Sequence, residues 1–234
     1  MEKLIQMHTI ARIHTDFSDK FGIPRQSGLV PELEGMIRFV PEYRSADAVR
    51  GLEGFSHLWL IWQFSKAVRE DWLPTVRPPR LGGNKRIGVF ATRSPFRPNS
   101  IGLSCVRLER IEYHPDFGPQ IYVSGADLLD GTPILDIKPY LAYADSHPEA
   151  VGGFTQTSDD YLLKVDFPPA LLDAVGEEKR SALLGVLSHD PRPSYQDDPE
   201  RIYGMDFAGY NIRFRVLDRT LTVQDVRPLE KKTV

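Results

Sequence analysis

HLWLIWQF, residues His57 to Phe64, is a nearly continuous apolar run. It reads as a strand that is buried on both faces or that crosses a closed barrel. Upstream, MHTIARIHT (Met7–Thr15) mixes β-branched and polar residues, and MIRFV (Met36–Val40) alternates. Downstream come RIGVFAT (Arg86–Thr92), LSCVRLERIEY (Leu103–Tyr113), QIYVSGADL (Gln120–Leu128) and ILDIKPYL (Ile134–Leu141), separated by Gly, Pro, Asn and Asp. No strand–helix–strand unit repeats, and no GxGxxG opens a helix after a strand, so a doubly wound sheet is disfavoured. The first two thirds read as a mainly β structure, an antiparallel barrel.

Beyond it, AYADSHPEAVGGFTQTSDD (Ala142–Asp160) is polar and rich in small residues, as linkers are. YLLKVDF (Tyr161–Phe167) is a predicted strand. A helix is predicted from about Pro168 to Leu187, carried by Leu172, Val175, Leu183, Leu184 and Leu187, with Pro168 or Pro169 near its start. HDPRPSY turns the chain, and RIYGMDF, YNIRFRVLD and TLTVQDV finish as a small antiparallel sheet. The expected division is a barrel over 1–157 and a small α+β domain over 158–234.

The chain has 234 residues and a formal charge of -3. That length buries roughly 70% of the unfolded surface. No apolar run approaches the roughly 20 residues of a membrane-spanning helix, and MEKLIQMHTIARIHTDF lacks a signal-peptide core. Cys105 is the single cysteine, so no intrachain disulfide can form. A cytoplasmic protein is expected. The histidines show no metal-ligand spacing and no metal is expected. Cys105, inside a strand, reads as a small packing residue rather than a nucleophile.

Positive charge is nevertheless concentrated. RLGGNKRIGVFATRSPFRPNSIG (Arg80–Gly102) holds Arg80, Lys85, Arg86, Arg93 and Arg97 and no acidic residue. Pro95 and Pro98 exclude a helix around the two later arginines, which leaves a stiff loop. Paired guanidinium donors in such a loop suit a carboxylate or phosphate; a solvated surface loop is the plainer reading. FGIPRQSGLVP (Phe21–Pro31) sets Arg25 and Gln26 between two prolines, as a polar recognition loop or an ordinary turn. Asp127, Asp130 and Asp136 cluster in GADLLDGTPILDIKPY (Gly125–Tyr140). They could hold an amine or ribose hydroxyls, serve as an acid/base pair, or make Asx-turns.

PRQSGLV, AVRGLEGFSHLWLIWQF, RPPRLGGNKRIGVFATRSPFRPNSIGLS and DLLDGTPILDIKPYL, in that order, resemble the TsaA/TrmO-like family of bacterial tRNA N6-threonylcarbamoyladenosine methyltransferases. The likeness is strong over about residues 6–145 and looser to the C-terminus. It implies a single-sheeted β-barrel with a small C-terminal α+β domain, S-adenosylmethionine as methyl donor, a homodimer, and a tRNA adenosine beside the anticodon as substrate. By motif it assigns Arg25, Gln26, Ser27, Phe64, Ser65, Arg93, Leu103, Ser124, Gly125, Ala126 and Asp127 to the cofactor. Ser65 stands where many relatives have His. Arg80, Arg86 and Arg97 are expected to meet the substrate carboxylate and tRNA phosphates. Asp127, Asp130 and Asp136 are the candidate general bases. Two alternatives remain open: a non-catalytic RNA-binding barrel, or a methyltransferase of this fold with another RNA or small-molecule substrate.

Overall fold

The computed structural model describes residues 5–66, 72–78, 81, 85–156, 162–193 and 198–230. Its strands are β1 (Ala11–Thr15), β2 (Glu34–Phe39), β3 (His57–Gln63), β4 (Thr75–Val76), β5 (Ile87–Gly88), β6 (Ile101–His114), β7 (Gly118–Ser124), β8 (Thr132–Pro139), β9 (Lys164–Asp166), β10 (Tyr203–Phe207), β11 (Tyr210–Leu217) and β12 (Thr220–Pro228). Six of them close a barrel in the order β1-β2-β7-β6-β3-β8, with β8 returning to β1 and every pairing antiparallel.

β3 shows why the barrel closes. Leu58, Leu60 and Trp62 alternate inward and are buried, whereas Trp59 and Ile61 face outward and are half-buried. The inward set meets Ile13, Ile37, Ile121 and Ile134, all fully buried. A one-residue slip would turn this whole row to the outside, so the register is strongly held. The outer face is covered rather than bare. The Trp59 indole N–H donates to Asp145 Oδ2 at 3.0 Å, and its ring sits 5.8 Å from that of Tyr140. Asp145 belongs to the short helix α1 (Ala142–Asp145). The Leu141 amide, and after it the Trp59 indole, holds its carboxyl below the usual carboxylate range.

Two expectations need correction. RIGVFAT is not a barrel strand. Only Ile87 and Gly88 pair, with Val76 and Thr75, and the chain then coils into one 3-10 turn at Val89–Ala91. Val89 is buried while Phe90 is exposed, so these β-forming residues anchor a loop instead of lining a pleat. The single helix over Pro168–Leu187 is two: α2 (Pro169–Leu172) and α3 (Glu177–Ser188), with Gly176 as the N-cap of the second. Gly in that place supplies the non-helical dihedrals of a cap.

The C-terminal sheet runs β10-β11-β12-β9, with β9 parallel to β12. Its core is not self-contained. Phe17, Val30 and Leu33, from the β1–β2 connection, belong to the cluster formed by Leu183, Leu187, Met205, Phe207 and Phe214. Phe17 packs edge-on to Phe207 with centroids 5.3 Å apart, and burying such a ring is worth about 1.5–3 kcal/mol. Lys179 of α3 pairs with Asp16 at 2.9 Å. The connection 16–33 is thus shared between the two halves. The proposed division at 157/158 falls at 157–161, outside the described residues.

Candidate active site at one rim of the barrel

Antiparallel order brings the end of β3, the start of β6, the end of β7 and the start of β8 to one rim. The connections 16–33, 64–100 and 125–131 all leave from it. They are fastened to one another. Gly28 N–H donates to Gly125 O at 2.9 Å, Gly125 N–H to Leu33 O at 2.8 Å, and Asp130 N–H to Phe17 O at 2.9 Å. Gly125 has φ +74°, and a Cβ there would lie 3.2 Å from Gly28 Cα, so the turn needs glycine on both counts. β7 ends opposite Arg107, which leaves the earlier part of β6 without a ladder partner on that side. Ser27 Oγ fills the gap by accepting the Cys105 amide at 3.1 Å.

Between these connections lies a cleft of about 530 Å³. Trp62 and Phe64 form an aromatic wall, ring centroids 4.3 Å apart. Trp62 takes its position because its cross-strand partner is Gly102: a Cβ at 102 would lie 2.2 Å from the indole Cε2. A bulge in the β3–β8 ladder between Ile61 and Trp62 also falls here, and bulges re-aim side chains. The Trp62 indole N–H donates to Ser104 Oγ at 3.0 Å, and Ser104 Oγ donates to Asp127 Oδ1 at 2.6 Å. Burial pushes the Asp127 carboxyl above its ordinary range; the Ser104 hydroxyl, backbone amides and the Arg93 charge pull the other way.

The arginine loop forms another side. Ser and Thr side chains stiffen it: Thr92 Oγ1 donates to Val89 O at 2.8 Å and accepts Ser94 N–H at 3.2 Å, and Ser94 Oγ accepts Phe96 N–H at 3.2 Å. Arg97 donates to Thr92 O at 3.2 Å. Arg93 reaches across the cleft mouth to donate to Gln26 Oε1, joining the first and second connections.

The cleft lining takes in Arg25, Gln26, Phe64, Ser65, Arg93, Arg97, Leu103 and Asp127. Ser27 and Gly125 stand behind it as fasteners. Ala126 is buried in the barrel core, and Ser124 donates to Glu109 Oε1 at 2.5 Å. The three aspartates separate. Asp130 accepts the Thr15 amide at 3.2 Å and pairs with His14, while Asp136 lies opposite outward-facing Ile61 and pairs with Lys138 at 2.8 Å. Neither lines the cleft. Arg86 donates to Thr75 Oγ1 at 3.1 Å on the β4–β5 ladder, and Arg80 lies outside the described residues. Trp62, Gly102 and Ser104 escaped the sequence reading. The one signal in the sequence was a glycine at the start of the long strand that follows a bulky, continuous apolar run.

The donor set fits S-adenosylmethionine. The volume falls within the range of small-molecule sites. Aromatic faces beside a carboxylate suit a sulfonium and a flat base, and a guanidinium suits an amino-acid carboxylate. Among the described residues, no group of three His, Cys, Asp or Glu side chains gathers as if for a metal. Cys105 is no rival nucleophile, because burial, and then the Asp145 charge, pushes its thiol up. No described helix is long and apolar enough to cross a membrane.

A closed barrel whose ligand cleft is built from rim connections defines a class of β-barrel cofactor-binding proteins, distinct from doubly wound enzymes. The model of the tRNA-methyltransferase O N-terminal domain matches residues 12–146, and that of the TrmO C-terminal domain matches residues 160–229. The chain belongs to the tRNA-methyltransferase O (TrmO) family. A tRNA (adenine(37)-N6)-methyltransferase of Escherichia coli K12 is 42% identical over 231 residues, covering 95% of this chain and 98% of that protein. A Pseudomonas aeruginosa relative, RcsF, for which S-adenosylmethionine-dependent methyl transfer has been put forward, is 40% identical over 212 residues, covering 84% and 86%. The crystal structure of TrmO from Pseudomonas aeruginosa superposes with a TM-score of 0.76 at 33% identity, covering 96% of this chain and 99% of that one.

Proposed function

We propose that this chain is an S-adenosylmethionine-dependent methyltransferase acting on N6 of adenosine 37 of tRNA, with the threonylcarbamoyl form of that adenosine as its substrate. One observation carries the reading: a partly buried carboxylate, Asp127, oriented by Ser104, shares a cleft with Arg93 and Arg97. S-adenosylmethionine, when bound, supplies an electrophilic methyl group. The residues of the chain position and desolvate the partners, which is most of what an in-line displacement asks of a protein. Trp62, Phe64 and Leu103 give the cleft one apolar side. Arg93, tied to Gln26, would hold the carboxylate end of the cofactor. Arg97 meets the threonyl carboxylate of the substrate.

The acceptor nitrogen must lose its proton as it gains a methyl group, and Asp127 takes that proton. Its raised proton affinity improves it as a base once ionised, and the Ser104 hydroxyl and Arg93 keep the ionised form accessible. The reading extends to a homodimer, as the sequence resemblance implies, and to the cytoplasm, where tRNA is found. The test is direct. Purified protein is titrated with S-adenosylmethionine by calorimetry, then incubated with it and with tRNA either bearing or lacking the threonylcarbamoyl group. Nucleosides are read by mass spectrometry. A saturable heat and a methylated N6 only on the threonylcarbamoyl tRNA are expected. No heat would leave the non-catalytic barrel as the better account; methylation of unmodified adenosine would overturn the substrate assignment.

A further inference from the structure

Trp72 and Phe90 lie outside the cleft lining and take no part in the chemistry above. Their rings stack with centroids 6.1 Å apart and planes 28° from parallel. Both are open to water, Trp72 at 48% and Phe90 at 71%, with Leu73 exposed beside them. Apolar patches of this kind on a folded surface mark interaction sites. The patch is also held in place. Val89 N–H donates to Pro74 O at 2.9 Å, which joins the two chain segments, and the β4–β5 ladder extends that link.

Charge and position narrow the partner. Arg77, Lys85 and Arg86 lie in the same two segments as the pair, 72–78 and 85–100, which hold no acidic residue, and Arg86 is fixed there by its bond to Thr75; the acidic Glu70 and Asp71 precede Trp72 in the chain. Phe90 precedes Arg93 of the cleft by three residues, a span of at most about 11 Å even for extended chain. An interface between two copies centred on this patch would be self-facing, setting Arg77, Lys85 and Arg86 against their own counterparts. An anionic partner with flat apolar faces has no such conflict. Unpaired nucleotides have both properties, and bases stack on aromatic rings whatever their sequence.

We propose that Trp72 and Phe90 form a stacking platform for unpaired RNA bases neighbouring the nucleotide that enters the cleft. The proposal rests on the reading that the chain acts on tRNA. Arg86 and Lys85 then meet the phosphates, and the platform selects a single-stranded loop over a duplex, whose bases already stack on one another.

The test uses the full chain and two RNAs: a stem–loop with an unpaired loop, and its loop strand annealed to a complement. Phe90→Ala and Trp72→Ala should each weaken stem–loop binding roughly 5- to 150-fold and leave duplex binding and S-adenosylmethionine affinity nearly unchanged. Phe90→Tyr, which keeps the ring, should bind as the parent does. Undiminished stem–loop binding by both alanine variants sinks the platform alone. Equal loss on both RNAs also overturns it. So does conversion of a dimer to monomers in sedimentation, because a second copy would then be the occupant. If the unsubstituted protein binds neither RNA, the tRNA reading fails, and the platform with it.

Discussion

Ser104 stands between Trp62 and Asp127, accepting the indole N–H at 3.0 Å and donating to the carboxylate at 2.6 Å. Because an N–H already occupies one side of the oxygen, the hydroxyl proton is committed to Asp127. An aromatic residue of β3 thereby orients a carboxylate on the connection after β7, through a side chain of β6. Ser104 is almost fully buried, so water cannot replace it cheaply.

Ser104→Ala should act on stability and on pH dependence together. It leaves the buried indole N–H without an acceptor, a loss of about 1–3 kcal/mol, read as a lowered melting temperature. It also removes the hydroxyl that lowers the Asp127 proton affinity, so the acid limb of the pH–rate profile should move to higher pH. Ser104→Thr, which retains the hydroxyl, should restore the limb. A profile that stays in place would show that Ser104 is only a packing residue.

Asp127→Asn separates function from stability. The folded protein binds the Asp127 proton more tightly than the unfolded chain does, because burial raises that group. Its favourable contribution is therefore complete below the unfolded carboxylate value of about 3.9 and is lost as pH rises through the higher folded value. At neutral pH the wild-type protein carries the cost of a partly desolvated charge that asparagine does not. The variant should melt higher than wild type at pH 7, and the difference should shrink in acid. Methyl transfer should fall roughly 10²- to 10⁴-fold. Turnover near wild type would remove Asp127 from the role of base.

Gly102→Ala tests the aromatic wall. The added methyl would overlap the Trp62 ring, with its nearest atoms at 2.2 and 2.4 Å, and neither a strand backbone nor a buried indole yields easily. Overpacking of this kind costs about 1–3 kcal/mol. The indole should leave Ser104, and the change should appear in tryptophan fluorescence and near-ultraviolet dichroism. An unchanged spectrum would mean that the ring is not held by this contact.

The barrel was legible because its information is local. The continuous apolar run of β3 marked a strand crossing a closed barrel, and turn residues set the spacing of the strands. RIGVFAT misled because β-branched and aromatic residues signal a strand whether they line a pleat or, like Val89 and Phe90, anchor and crown a loop. The break between α2 and α3 was hidden by Leu172 and Val175, which keep a helical spacing across it. The arginine loop was visible as charge. The Trp62–Ser104–Asp127 chain was not, since it joins two strands and the connection after β7, whose relative placement no short motif encodes. Nor did anything in Asp16–Leu33 announce that this connection completes the second core.

Arg93 and Arg97 should divide the anionic work, although they lie four residues apart on one loop. Arg93 crosses to Gln26 and so closes the cleft between two connections; Arg97 is tied back to its own loop at Thr92 O. A hydrogen bond to a charged group contributes about 1.5–3 kcal/mol. Arg93→Ala should thus weaken S-adenosylmethionine roughly 10- to 150-fold in calorimetry and abolish methylation while leaving the melting temperature within about 1 kcal/mol equivalent of the parent. Arg93→Lys should not rescue it, because an ammonium cannot bridge an amide and a carboxylate as a planar fork does. Arg97→Ala should instead raise the KM for tRNA with the cofactor affinity kept, and its binding to tRNA should lose about one unit of salt dependence if it meets a phosphate, and less if it meets only the threonyl carboxylate. Equal loss of both ligands in the two variants would reject the division, and would make the loop one undifferentiated basic surface.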